Sequence, residues 1–175
     1  MKIPRVLFAA PKSGSGKTMI TCGIIELLKR KGRKVVSFKC GPDYIDPMFH
    51  RRVLGIPSGN LDTYFTDADI TRYLFIEKAE EADIAIVEGV MGFYDGLAGM
   101  SVLASTYEVS RVTRTPVVLV VDGKGASVTM ASVIKGMKEF RKDSGIVGVI
   151  PNRASAGYHD RIAKVIEDTC NVKVL

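Results

Sequence analysis

At 175 residues the chain is long enough for one domain with a full core, and its apolar (46%) and charged (25%) fractions are those of an ordinary globular protein. No stretch approaches the roughly 20 consecutive apolar residues of a membrane-spanning helix, and the N-terminal apolar run lacks a signal-peptide cleavage pattern, so no membrane partner and a cytoplasmic location are expected. The net charge of +6 suits an anionic ligand, but the one dense basic group, Lys29, Arg30, Lys31, Arg33 and Lys34, falls where a helix should end, and no nucleic-acid-reading motif accompanies it.

The elements follow in order. Residues 5–10, RVLFAA, read as a short buried strand, and residues 17–32 carry apolar residues at helical spacing with Gly32 as a stop. A second strand covers 34–39, a breaker-rich loop 41–47 (GPDYIDP), and a short helix 48–55. Asp67 is placed to cap a helix over 67–82, which leads into a third strand over 83–89. A second Gly-rich loop, VMGFYDGLAGM, spans 90–100, followed by a helix over 101–114 and the most apolar strand, TPVVLVVD, over 115–122. A helix over 127–142, a strand over 145–152, a helix over 158–170 and a strand starting at 172 complete the chain.

Strands and helices alternate, and several strands are apolar on both faces. This predicts an α/β fold of the three-layer P-loop NTPase type: a mostly parallel sheet with helices on both sides, one domain over 1–175. Ligands of such sheets sit at the carboxyl ends of the strands. The loops at 11–17, 40–47, 88–99, 122–127 and 151–157 all fall there. Cys22, Cys40 and Cys170 are widely spaced and the two histidines lie at 50 and 159, so neither a disulfide framework nor a zinc site is expected and the thiols read as packing residues.

The loop Lys12-Ser13-Gly14-Ser15-Gly16-Lys17-Thr18 directly follows the first strand and opens the first helix. Its backbone N–H groups are suited to wrap a phosphate, Lys17 to reach the β- and γ-phosphates, and the Thr18 hydroxyl to ligate Mg²⁺. Pro11 stands where G-x-x-x-x-G-K-S/T has its first Gly; the strand–loop–helix context supplies what the pattern lacks. Lys12 is a second loop cation, as in the deviant P-loop of septum-placing and partitioning ATPases, where the first Lys reaches a phosphate across a dimer; a solvated Lys is the alternative. Carboxylates then flank the loop. Asp43 and Asp46 follow the second strand; Glu88 ends the third, with Asp95 seven residues on. A carboxylate ending a strand beside a P-loop is placed to hold Mg²⁺ or orient water, while Asp43 and Asp46 also suit turn contacts to their own backbone.

The segments FKCGPDYIDPMFH, NLDTYF, VEGVMGFYDG, VVDGKGAS and VIPNR closely resemble the ATP-binding half of the cobyrinic acid a,c-diamide synthases, and the resemblance runs through essentially the whole chain. It implies an ATP- and Mg²⁺-dependent amidation: ATP phosphorylates a carboxylate of a tetrapyrrole polycarboxylate and ammonia displaces the phosphate. Residue by residue, it implies that Lys17 and Thr18 contact phosphate and Mg²⁺, that Asp43 and Glu88 are further Mg²⁺ ligands, and that Asp46 and Asp95 place the substrate or steer ammonia. It further implies a phosphate contact for Lys39 and an adenine-reading role for Asn152, each with a plain structural alternative. A substrate contact is also expected of Ser127, and Tyr44 and Tyr94 are expected either to stack on a macrocycle or to pack in the core. Full-length members carry a glutamine amidotransferase domain that releases ammonia; none of the three cysteines fits its nucleophile, so that domain is expected in cis or in trans, and the chain is expected to be a fragment. The kinship with deviant P-loop ATPases allows a homodimer. The competing readings are an ATPase switch of the partitioning type, amidation of hydrogenobyrinate or nickel-sirohydrochlorin, and dethiobiotin synthetase, which lacks GPDYIDP and EGVMGFYDG in this form.

Overall fold

The structure, a computed structural model, describes residues 3–175. Its elements in chain order are β1 (Arg5–Ala9), α1 (Lys17–Arg30), β2 (Val35–Cys40), α2 (Ile45–Arg52), β3 (Ser58–Leu61), α3 (Ala68–Ala79), β4 (Ile84–Glu88), α4 (Thr106–Val112), β5 (Val117–Asp122), α5 (Val128–Glu139), β6 (Ile146–Asn152), α6 (Ala156–Cys170) and β7 (Lys173–Val174). One 3₁₀ turn, Leu97–Gly99, lies in the loop after β4. The seven strands form one sheet in the order β3-β2-β4-β1-β5-β6-β7, and every pairing is parallel.

Alternation along the strands divides the core. Leu7 and Ala9 face the side that packs Phe75 of α3, Val109 of α4, Met130 and Ile134 of α5, and Ile162 and Ile166 of α6. Phe8, Ile86, Val118 and Val120 face the opposite side, where Ile25 of α1 covers them. Both faces are therefore buried, the condition under which β-branched runs such as Val117–Val121 form central parallel strands. β1 lies between β4 and β5, so the loop after it emerges between the loops that follow those strands. The topology thus gathers the expected ligand loops at one end of the sheet.

Three expectations need correction. β3 was not anticipated; its four residues, Ser-Gly-Asn-Leu, hold one large apolar side chain and sit on the sheet edge. α2 begins at Ile45, so Asp46 and Pro47 are helical rather than loop; Pro is tolerated in a first turn, where its missing N–H has no intrahelical partner. α4 starts only at Thr106, because Ser105 caps it by accepting from Glu108 N, and Ala104 before it has φ +57. The expected cap of α3 is present: Asp67 accepts from Asp69 N and Ile70 N. The thiols are free, Cys40 and Cys170 buried and Cys22 half-buried; burial pushes the Cys40 thiol up to about 12, in keeping with a packing role.

One turn below the ligand loops, α1 and α2 meet through polar groups. Cys22 follows Thr18 by one turn of α1, and His50 follows Asp46 by one turn of α2. His50 is fully buried, with Nδ1 2.9 Å from Ser37 Oγ and Nε2 3.6 Å from Cys22 Sγ. Ser37 Oγ donates to Ser58 Oγ at 2.8 Å, so it accepts from His50, and this fixes the Nδ1–H tautomer. Burial holds the imidazole below its ordinary 6.5, against the raising influence of Glu88 and Asp46. The unfolded chain thus binds a proton that the folded chain refuses, and stability falls as pH drops below about 6.5. The expected result is that His50→Gln flattens this part of the stability–pH curve, by at most about 1.4 kcal/mol per pH unit. Urea unfolding at successive pH values measures it; parallel curves for the two proteins would contradict it.

Candidate nucleotide-binding site

The loop between β1 and α1 is shaped by its glycines. Gly14 and Gly16 have φ +76 and +95, a region that side chains rarely enter. At Gly16 a Cβ would also lie 2.2 Å from Asn152 Nδ2, so both the conformation and the neighbour require glycine. Ser15 is buried and its Oγ donates to Lys12 O, closing the turn, while the Lys12 side chain and Ser13 are exposed.

Lys17 opens α1 and is 8% exposed. Its Nζ donates to Met91 O at 2.8 Å, and it makes no ion pair among the described residues. Burial, and then the charge of Lys39, hold its pKa below the ordinary 10.5. A cation so placed is short of negative charge, which is the state expected of a group that waits for an anion.

Thr18 Oγ1 donates to Glu88 Oε1 at 2.5 Å, which joins the P-loop helix to the end of β4. The same oxygen accepts from Lys39 Nζ at 2.8 Å, and Lys39 also reaches Asp46 Oδ2 at 2.6 Å. Burial works to lower the Lys39 pKa, but Glu88 and Asp46 outweigh it and the net direction is up. The ammonium expected at a phosphate therefore sits between two carboxylates. Glu88 is fully buried, and its second oxygen, Oε2, has no partner among the described residues.

That orphaned oxygen bears on Mg²⁺. The donors present, a hydroxyl and carboxylates, are the hard oxygen ligands that Mg²⁺ takes. Among the described residues no group of three or more His, Cys, Asp and Glu side chains forms a metal cage.

The remaining carboxylates line the rim. Asp43 Oδ1 accepts from Ile45 N at 2.8 Å and Asp46 N at 3.3 Å, so it makes a turn contact to the backbone that enters α2, one residue ahead of the N-cap Tyr44. Asp95 is exposed and its Oδ2 accepts from Gly92 N at 2.9 Å. A cleft of about 360 Å³ runs between them, lined also by Asp62, Tyr64, Phe65 and Met91. Phe65 is 70% exposed there, and Tyr44, just before α2, is exposed too. Tyr94 instead packs with Phe93, Tyr107 and Phe140, its hydroxyl donating to Met137 O. Ser127 Oγ is hydrogen-bonded to Tyr158 OH at the start of α5.

Asn152, last residue of β6, donates from Nδ2 to Ser15 O at 2.9 Å and so fastens the phosphate loop. Three residues singled out by no role in the sequence act on the same loops. Asn60 Nδ2 donates to Gly41 O at 2.8 Å and to Asp43 O, holding the loop after β2 from the edge strand. Arg153 reaches Gly14 O and the Asp122 carboxylate. The signal was present in the segments NLDTYF, VVDGKGAS and VIPNR, but spacing alone gives these side chains no target.

The strand order, the Gly-rich loop leading into α1 and the cations around it define a P-loop nucleotide-binding domain of the α/β class. A family model described as "CobQ/CobB/MinD/ParA nucleotide binding domain" matches residues 6–175. The chain belongs to that family. It is 46% identical to a cobyrinate a,c-diamide synthase of Thermoplasma acidophilum over 100% of its own length and 39% of the relative's. It is 42% identical to a hydrogenobyrinate a,c-diamide synthase of Streptomyces coelicolor, covering 99% of this chain and 36% of that one. The chain thus spans well under half of these relatives. Among solved structures, chloroplast FtsY from Physcomitrella patens superposes with a TM-score of 0.72 at 14% identity, covering 99% of this chain and 58% of that one, a likeness of fold. No helix among the described residues is long and apolar enough to cross a membrane.

Proposed function

We propose that this domain is the ATP-binding synthetase part of an amidoligase acting on the a and c carboxylates of cobyrinate or a closely related tetrapyrrole. A carboxylate oxygen of the substrate attacks the γ-phosphorus and ADP leaves with the bridging oxygen. Ammonia then attacks the acyl carbon, phosphate leaves with the former carboxylate oxygen, and a proton passes from nitrogen to a base. The ammonia comes from glutamine through an amidotransferase domain, in keeping with relatives about 2.6-fold longer than this chain.

The single observation that carries the reading is Glu88: buried at the end of β4, joined to Thr18 and Lys39, with one oxygen unpaired among the described residues. In this reading Thr18, Glu88 and Asp43 hold Mg²⁺, which neutralises charge on the transferring phosphoryl group. Lys17 and the loop N–H groups hold the phosphates in line. Lys39 fixes Glu88 and Asp46, and the Asp43–Asp95 cleft, with its exposed aromatic rim, receives the macrocycle and its carboxylates. Calorimetric titration of cobyrinate, with and without Mg²⁺ and a non-hydrolysable ATP analogue, tests the reading. Hydroxylamine added to a MgATP reaction would trap the acyl phosphate as a hydroxamate. Nucleotide-dependent cobyrinate binding and hydroxamate formation are expected; hydroxamate absent from both this domain and the full-length protein rejects the acyl phosphate.

A further inference from the structure

Two consecutive residues at the end of β6 hold two consecutive carbonyls of the phosphate loop. Asn152 Nδ2 donates to Ser15 O and Arg153 Nη2 donates to Gly14 O, each at 2.9 Å. A trans peptide unit is planar, with its N–H and C=O pointing opposite ways. The Gly14 carbonyl is therefore opposed to Ser15 N–H, and the Ser15 carbonyl to Gly16 N–H. Drawing both carbonyls toward β6 turns those two N–H groups to the loop's other side, the arrangement in which successive N–H groups bind an anion. Neither N–H donates to another backbone group among the described residues.

Arg153 is itself held. It has φ +61, a conformation uncommon for a residue with a side chain. Nη2 carries two hydrogens: one goes to Gly14 O and the other to Asp122 Oδ2 at 2.5 Å. Asp122 ends the neighbouring strand β5, and its other oxygen accepts from Lys124 N at 3.1 Å. The chain of contacts runs from β5 through Asp122 and Arg153 to the loop.

We propose that Arg153 is a positioning residue for the nucleotide: clamped by Asp122, it holds the phosphate loop in its anion-receiving form by acting on Gly14, not on the phosphate. The proposal rests on the nucleotide reading of the loop and on no particular substrate carboxylate. It makes a sign prediction that simple electrostatics opposes. Removing the Asp122 charge near a bound triphosphate should tighten binding by Coulomb's law alone. If Asp122 instead aims Arg153 at Gly14, removing it should weaken binding.

The experiment is titration of the 175-residue protein with a fluorescent N-methylanthraniloyl ATP and with the corresponding adenosine derivative. Arg153→Ala is expected to raise the ATP-analogue Kd about tenfold, the effect of one charge-assisted hydrogen bond, and to leave adenosine binding unchanged. Arg153→Lys should recover part of the loss. Asp122→Asn, which keeps an acceptor for Lys124 N, should weaken ATP binding in the same direction. The Arg153 and Asp122 side chains are 47% and 24% exposed, so the thermal midpoint should move by no more than a few degrees. Unchanged affinity in Arg153→Ala overturns the proposal. So does tighter binding in Asp122→Asn, which would place Arg153 on the phosphate. A wild type that binds no nucleotide analogue removes the underlying nucleotide reading too, and is distinguishable from both.

Discussion

Replacing Lys39 by alanine is expected to destabilise the fold by about 3–5 kcal/mol, the usual consequence of stranding a buried charge. The Lys39 side chain is 6% exposed, and it is the only cation in ion-pair contact with either Glu88 or Asp46 among the described residues. Glu88 has no exposed surface, so after the change its carboxylate would face Thr18 Oγ1 alone. In the wild type the Lys39 pKa is raised above 10.5, so its contribution is full below that pH and is lost as pH climbs through the folded value. The midpoint of urea unfolding, with the slope checked for constancy, reads the loss. Lys39→Met combined with Glu88→Gln should recover much of it, because both charges are then gone. A Lys39→Ala loss below about 1 kcal/mol, the range of exposed pairs, would show that water reaches Glu88.

The same cluster shows what the sequence could and could not reveal. Strand and helix periods sufficed for the parallel three-layer fold, because runs such as Val117–Val121 admit no other environment. The phosphate loop was legible because its chemistry is local: Gly14, Gly16, Lys17 and Thr18 are neighbours in the chain. Asp43, Asp46, Glu88 and Asp95 were legible as an acidic rim, but not the division of labour among them. That Asp43 holds the turn into α2 while Asp46 holds Lys39 depends on α2 starting at Ile45, three residues earlier than the breakers Gly41, Pro42 and Pro47 suggested. β3 escaped notice because its inward polar residue, Ser58, is satisfied by Ser37 and not by apolar packing. Arg153 escaped for a related reason: its partners lie 139 and 31 residues away, and only the adjacency of β1, β5 and β6 brings them together.

Lys17→Ala is expected to weaken ATP binding by at least about 30-fold and by up to several thousandfold, the range for truncating a desolvated charge pair. The fold itself should change by no more than about 1 kcal/mol. Among the described residues the ammonium makes one hydrogen bond, to Met91 O, whose net worth is about 0.5–1.5 kcal/mol. Against that stand two penalties the variant escapes, burial of the charge and repulsion from Lys39, which together hold the Lys17 pKa below 10.5. Binding and stability therefore separate at this residue. Titration with the fluorescent ATP analogue, alongside urea unfolding, measures both; an affinity within about threefold of wild type would take Lys17 off the phosphate. A pH series sharpens the test. A bound triphosphate supplies the negative charge that Lys17 lacks and so raises its pKa. Wild-type affinity is then full while Lys17 is protonated in the free protein, and declines as pH rises through its lowered free value toward 10.5. In Lys17→Ala that limb of the profile should be absent, because the group that takes up the proton is gone.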